Sequence, residues 1–376
     1  MGTIRAYETK RRGRLYEVWY SKPDGSRGHD RGFQRKRDAE AYLATVEVSK
    51  LKGAFVDRAD ARALVRELGE DWLARHKAKI TPSSFHSVES AWRIHVLPKW
   101  GSYAVGRVTK RDVETWLAGL TVTVGKDEDG KPRTRPASHT VVARARDLLA
   151  GILDEAVEDN RITKNVARGI EIKKKPLPDE VYLTHRQVEA LAVGSKYPDL
   201  VRFLAYTGLR WGEATALRVR NVDLQRRRIS VREAVAEVNG KPVLGSVKSH
   251  EKRVTAFPAF LVDEVAAACA GKKGDERLWN SEDGGFLRPG NSQSGWFVGA
   301  VRRAMSADPD FRSVTPHDLR HTAASLAISA GANVKVVQRM LGHKNAAETL
   351  NIYAALFPDD LDAVADALTR HREEQL

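Results

Sequence analysis

Alternating apolar and polar positions open the chain, and helical spacing takes over soon after. "LYEVWY" (15–20) reads as an aromatic-rich strand, "KPDGSRG" (22–28) supplies an Asp-Gly turn, and "HDRGF" is the return strand. "RKRDAEAYLATVEVSKLKG" then has the spacing of an amphipathic helix closed by Gly53. The first 60 residues are therefore expected to form a small module of three short strands and a helix. Residues 61–172 look all-helical. "ARALVRELGEDWLARH", "SSFHSVESAWRIHVLPKW", "TKRDVETWLAGL" and "SHTVVARARDLLAGILDEAVEDN" repeat apolar residues at three- and four-residue intervals. The polar insertion "TVTVGKDEDGKPRTRP" (121–136) breaks that pattern and reads as a loop or hairpin. "IKKKPLPDE" (172–180), with three lysines and two prolines, reads as an extended linker.

The remainder, 173–376, opens on "THRQVEALA", where Thr184 and Gln187 have capping-box spacing. A second helix, "DLVRFLAYTG", precedes the strand-like runs "RRISVREAVAEV" and "KPVLGSVK", which flank the hairpin turn Asn239-Gly240. "KRVTAFP" is a candidate third strand. Helical spacing returns from "GWFVGAVRRAMS" to the tail. Gly331 and Gly342 are expected to end helices, and Asn333 and Asn345 to begin them.

Charge adds a partner. The 376 residues carry 63 Lys and Arg against 49 Asp and Glu, a formal net charge of +14. Residues 1–60 are net +5, 61–175 net +7 and 176–354 net +6, whereas the tail 355–376 is net −4. Basicity spread over three successive regions favours one long polyanion. The single cysteine, Cys269, sits in "VAAACA" and reads as a small core residue; no internal disulfide or cysteine-based zinc cluster follows from it. No stretch approaches the roughly 20 apolar residues of a membrane span. A cytoplasmic, nucleoid-associated protein is expected.

Candidate chemistry concentrates after residue 200. "TPHDLRH" (315–321) places His317 and His321 four apart, which admits a zinc site. It also sets His317 and Arg320 on one face at a helix start, with Thr315 as N-cap and Pro316 at the first helical position. That end already favours an anion, and an arginine fork matches two phosphate oxygens. A permanent cation in that turn repels Zn²⁺, so phosphate is the preferred ligand. Arg210, in "YTGLRWGEATALR", follows Gly208 at a turn and can supply a second guanidinium. Lys248, in "GSVKSHEKR", follows the hairpin, with Lys252 as an alternative. His343 in "RMLGHKN" and Tyr353 in "TLNIYAALF" complete the set.

Taken in order, "TGLRWGE", "HDLRHTAAS", "LGH" and a tyrosine ten residues after that histidine resemble the tyrosine recombinase, or phage integrase, family. The resemblance covers about four-fifths of the chain, and the first sixty residues resemble the arm-site-binding domains of phage-type integrases. It implies a multidomain α+β fold. Residues 1–60 would be an arm-type DNA-binding domain, 61–172 a helical core-binding (SAM-like) domain, and 173–376 a mainly α catalytic domain with a small antiparallel β-sheet. The two larger domains would clamp a duplex.

The resemblance also implies roles. Tyr353 would attack the scissile phosphate, leaving a 3′-phosphotyrosyl bond and a free 5′-hydroxyl. Arg210 and Arg320 would stabilise the pentacoordinate charge. Lys248 would protonate the departing oxygen, and His317 would move protons at the tyrosine. His343 would hydrogen-bond the phosphate and Glu213 would support the site. No cofactor or metal is implied. Implied partners are double-stranded DNA at core and arm attachment sites, three further copies of the chain in a synaptic tetramer, a host DNA-bending protein and an excisionase. Three rival readings remain open from residues alone. They are a non-catalytic helix-turn-helix binder on "LAISAGANVKVVQRMLGHKN", the zinc hydrolase, and a type IB topoisomerase.

Overall fold

The computed structural model describes residues 2–23, 25–51, 53, 55–56, 60–172, 180–246, 253–290, 294–356 and 361–376. The chain divides into two compact units, Met1–Pro176 and Leu177–Leu376.

The first unit opens with an antiparallel sheet of β1 (Thr3–Thr9), β2 (Gly13–Ser21) and β3 (Arg27–Phe33), in the order β1-β2-β3. Side chains on a strand alternate between faces, so Tyr16, Val18 and Tyr20 of β2 share one side. That side is covered by α1 (Lys36–Leu51), whose Ala39, Tyr42, Leu43 and Val46 recur at helical spacing. Three strands and a helix were expected here, and they form.

A separate core in this unit belongs to α2 (Val65–Lys77), α3 (Pro82–Ala91), α4 (Leu97–Trp100), α5 (Lys110–Ala118) and α6 (His139–Glu158). Trp92, Trp100, Leu149 and Ile152 are buried within it. The all-helical expectation for 61–172 needs one correction. The insertion forms an antiparallel hairpin, β4 (Thr121–Lys126) with β5 (Pro132–Pro136). The residues Asp127–Lys131 close it: Asp127 N donates to Lys131 O at 2.8 Å and Lys131 N to Asp127 Oδ1 at 2.7 Å. Threonine and valine favour the extended chain, and a Gly-bearing turn between them decides for a hairpin.

The second unit starts with α7 (His185–Val193), α8 (Pro198–Thr207) and α9 (Trp211–Ala216). Thr184 and Gln187 form the expected capping box on α7. Next come β6 (Val222–Asp223), β7 (Arg228–Val231), β8 (Glu233–Val238), β9 (Lys241–Ser246) and β10 (Arg253–Ala256). Helices α10 (Val262–Cys269), α11 (Trp296–Ala307), α12 (Asp318–Ser329), α13 (Val334–Leu341), α14 (Ala346–Tyr353) and α15 (Leu361–Glu373) follow. Among the described residues no helix is long and apolar enough to cross a membrane.

Among the described residues the single small sheet expected here is instead two. "RRISVREAVAEV" divides into β7 and β8, which belong to different sheets. One has the order β10-β7-β6, and the other is the β8–β9 hairpin. The hairpin turns at Asn239 (φ 52°) and Gly240 (φ 71°), both left-handed, as an Asn-Gly turn requires. The hairpin rests on α9 through Gly212, where a Cβ would stand 2.2 Å from the Val235 carbonyl oxygen. Caps at α13 and α14 form as expected: Asn333 accepts from Val336 N, and Asn345 accepts from Glu348 N.

Candidate active site

Two helix boundaries carry the arginines. Helix α8 buries Leu200, Phe203 and Leu204 and ends on Gly208, whose φ of +67° closes it in the left-handed region. The chain therefore turns back at once, and Arg210 becomes the N-cap residue of α9. Arg210 N donates to Glu213 Oε2 at 2.8 Å, and its Nη1 donates to Glu213 Oε1 at 3.1 Å. Helix α12 packs on α8 and supplies the other arginine. Arg320, 3% exposed, donates from Nη1 to the Gly208 carbonyl at 2.7 Å. One glycine thus sets the turn for the first arginine and anchors the second.

The start of α12 differs slightly from expectation. The helix begins at Asp318 rather than Pro316, although Asp318 Oδ2 accepts from Thr315 N at 2.7 Å and from Thr315 Oγ1 at 2.9 Å. The proline and histidine form a turn that this carboxylate holds.

Beneath Arg210 lies a residue that sequence reasoning missed. Arg253, on β10, donates to both carboxylate oxygens of Glu213, at 2.9 Å and 2.7 Å. Burial by itself would push the Glu213 carboxyl up. The bond and charge of Arg253, then Arg210, outweigh it and hold the group below its ordinary value. Glu213, 2% exposed, is thus a buried carboxylate shared by two arginines.

The charge balance of the site is positive. Burial first, then Arg210, pull the Arg320 guanidinium down to about 9; Glu213 acts in the opposite sense. Arg320 Nη2 is buried with no hydrogen-bond partner among the described residues. A buried, unpaired guanidinium nitrogen costs free energy that an anion would recover. His317 is likewise pushed below its ordinary value by burial, then by His321 and Arg320, and it feels Arg210. His343 is pushed down to about 4 by burial and then by Arg320. Its Nδ1 lies 2.9 Å from Thr349 Oγ1, and it borders a cleft of about 720 Å³ with Arg228, Arg253, Arg339 and Lys344.

Tyr353 is the last residue of α14 and is 1% exposed, its ring packed with Ala324, Ile328, Val337 and Leu341. Burial raises its phenol well above the ordinary range, and Arg320 offsets part of this. Its Oη lies 2.8 Å from His321 Nδ1. His321, which sequence reasoning weighed only as a zinc ligand, is thus engaged with the tyrosine, and its ring stands perpendicular to that of His317, centroids 5.0 Å apart. Helix α13, the second helix of the helix-turn-helix reading, buries Val337 and Leu341 in the same cluster.

Arg210, Glu213, His317, Arg320, His343 and Tyr353 therefore share one electrostatic neighbourhood. Lys248 and the alternative Lys252 lie outside the described residues. The hairpin leading to them sits against α9, the helix that Arg210 begins.

Residues 182–359 match the phage integrase family. The chain is 28% identical over 354 residues to an integrase of Mycobacterium phage D29, spanning 89% of this chain and 88% of that one. It is 27% identical over 382 residues to an integrase of Mycobacterium phage L5, spanning 96% of each. Its fold is similar to that of the Tn1549 transposon integrase in complex with a circular intermediate DNA. That match has a TM-score of 0.65 at 19% identity and covers 82% of this chain and 100% of the other. A lambda integrase tetramer bound to a Holliday junction matches with a TM-score of 0.52 at 14% identity, over 91% of this chain and 96% of the other.

Proposed function

The chain belongs to the phage integrase family of tyrosine recombinases, and we propose that it performs site-specific recombination with Tyr353 as the nucleophile. Tyr353 Oη attacks the scissile phosphorus, the bond to the 5′-oxygen breaks, and a 3′-phosphotyrosyl link holds the strand. The free 5′-hydroxyl of another strand then reverses the step. No energy source is needed, because a phosphodiester is exchanged for a phosphodiester.

Arg210 and Arg320 clasp the non-bridging oxygens, where charge accumulates in the transition state. The observation that carries this reading is the unpartnered Nη2 of buried Arg320, set in a cluster with Arg210 and Tyr353. His343 donates to the phosphate, and His317 assists with protons there. Glu213 keeps Arg210 in place. Lys248 is the acid that protonates the leaving oxygen. None of these roles calls for a cofactor.

The wider assembly belongs to the same proposal. We keep the three-part division at residues 60 and 172. The sheet of the first part, with Arg5 and Arg27 beside Trp19, binds arm-type DNA, and the other two parts bind the core site. The working form is a tetramer on two paired sites; the lambda integrase of similar fold is a tetramer bound to a Holliday junction. A host bending protein and an excisionase would set the direction of the reaction.

The test is a nicked duplex spanning the short direct repeat that borders the element carrying the coding region. A protease-sensitive covalent adduct that forms in EDTA and is absent from Tyr353→Phe supports the reading. A gel shift without any adduct overturns it.

A further inference from the structure

Tyr353 must shed a proton before its oxygen can attack phosphorus, and the burial of the phenol makes that loss harder. Assisted removal matters most when the group's own acidity is weak. Among the described residues, the titratable side chain bonded to Tyr353 Oη is His321, with Nδ1 at 2.8 Å. His317 has no such bond. It stands four residues earlier, at the N-cap of α12, with its ring edge-to-face against that of His321.

We propose that His321 is a catalytic residue, the base that takes the Tyr353 proton in cleavage and returns it in rejoining. This rests on Tyr353 being the nucleophile. The balance is simple. The Tyr353 O–H bond breaks and an N–H bond forms at His321 Nδ1. The phenolate pair then forms the O–P bond as the P–O5′ bond breaks, and the leaving oxygen takes its proton from the separate acid. Rejoining runs every transfer backwards. The imidazole thus starts neutral with its hydrogen on Nε2 and becomes imidazolium only while the phosphotyrosyl link exists.

The surroundings suit a transient cation at His321. Glu180 Oε2 lies 3.4 Å from the same Nδ1, close enough to receive the new N–H as Tyr353 moves towards phosphorus. Tyr182 Oη donates to that same carboxylate oxygen at 2.9 Å, which fixes its position beside the ring. Tyr182 itself is pushed up to about 12 by burial and then by Glu180, so it is a standing donor and not a competing base. On the other side of the ring stand the Arg320 guanidinium, from the preceding residue, and the His317 imidazole. Both bonds use one nitrogen, so the ring switches between partners; the arrangement is not a relay through its two nitrogens.

The experiment measures adduct formation on the nicked duplex, with a normal and with a sulfur-substituted 5′-bridging oxygen, for His321→Asn and His321→Gln. Asn keeps a hydrogen-bonding amide near the position of Nδ1 and Gln near that of Nε2, and neither takes a proton near neutral pH. Circular dichroism and duplex affinity confirm that at least one variant folds and binds. The expected result is a loss of about 10²-fold or more in the cleavage rate. The sulfur leaving group should not restore it, because that substitution relieves only the need for an acid. The logarithm of the variants' rate should climb steadily with pH, whereas the parent levels off once its base is neutral. An unchanged rate overturns the proposal. So does a faster rate, which would make His321 a latch that restrains the tyrosine. A slower rate with the parent's levelled profile also overturns it, leaving only a positioning role. Tyr353→Phe runs in parallel: an adduct there would remove the underlying reading instead.

Discussion

Arg253 grips both carboxylate oxygens of Glu213, and the same carboxylate holds the backbone and side chain of Arg210. A strand residue is thereby linked to Arg210 through one shared carboxylate. Arg253→Ala leaves Glu213 buried with half of its compensation gone. Breaking such a pair costs about 3–5 kcal/mol. Thermal and urea unfolding should show a loss of that order, and adduct formation should fall with it. Replacing both partners, as Glu213→Gln with Arg253→Met, should recover much of the stability and little of the cleavage. Recovery of both would show that Arg210 is placed without the pair.

Gly208→Ala should harm catalysis more than folding. The residue has φ +67°, and an added Cβ would stand 2.8 Å from Leu341 Cδ2. A left-handed alanine costs about 1–2 kcal/mol. Its carbonyl also accepts from Arg320, so a shift of the turn displaces that guanidinium. A modest fall in melting temperature with a cleavage rate at least tenfold lower at saturating DNA is expected. Equal cleavage rates would disconnect the turn from the clasp.

Acid should destabilise the second unit in two stages. His343 is pushed down to about 4 from an ordinary 6.5. A histidine with a depressed folded value stabilises fully above 6.5, and that contribution is lost as pH falls towards 4, since the unfolded chain takes the proton first. Glu213, held below 4.5, contributes above its ordinary value and is lost only under more acid conditions. Melting temperature should therefore begin to drop below about pH 6.5, and His343→Asn should reduce that first stage, leaving the part that His317, also held below its ordinary value, contributes. An unaltered profile in the variant would assign the loss elsewhere.

The leaving-group acid can be separated from its neighbour by chemistry alone. If Lys248 is the acid, Lys248→Ala should be slow on normal DNA and near parental on the sulfur-substituted duplex, whose leaving group needs no proton. Lys252→Ala should be close to parental on both. The reverse pattern would move the role to Lys252.

Local chemistry was legible in the sequence, and distant pairing was not. Asn239-Gly240, the Thr184–Gln187 capping box and the asparagine caps at 333 and 345 each act within four residues, so composition alone announces them. Arg210, Glu213, Arg320 and Tyr353 stand out for the same reason, at helix ends with readable punctuation. Arg253 does not, because "KSHEKRV" offers several bases and only the β10–β7 register turns this one inward. His321 was visible as a histidine four residues after another, a spacing that suggests a metal. Its partner lies 32 residues away on α14, and helical periodicity carries no information about that.

The nucleophile can be located directly. The covalent complex is digested with trypsin, the DNA is trimmed with nuclease, and the nucleotide-bearing peptide is sequenced by mass spectrometry. A 3′-phosphonucleotide on Tyr353 is the expected result. The same mass on Tyr182, whose ring centroid lies 6.4 Å from that of Tyr353, or on any serine, would contradict the assignment on which the whole mechanism depends.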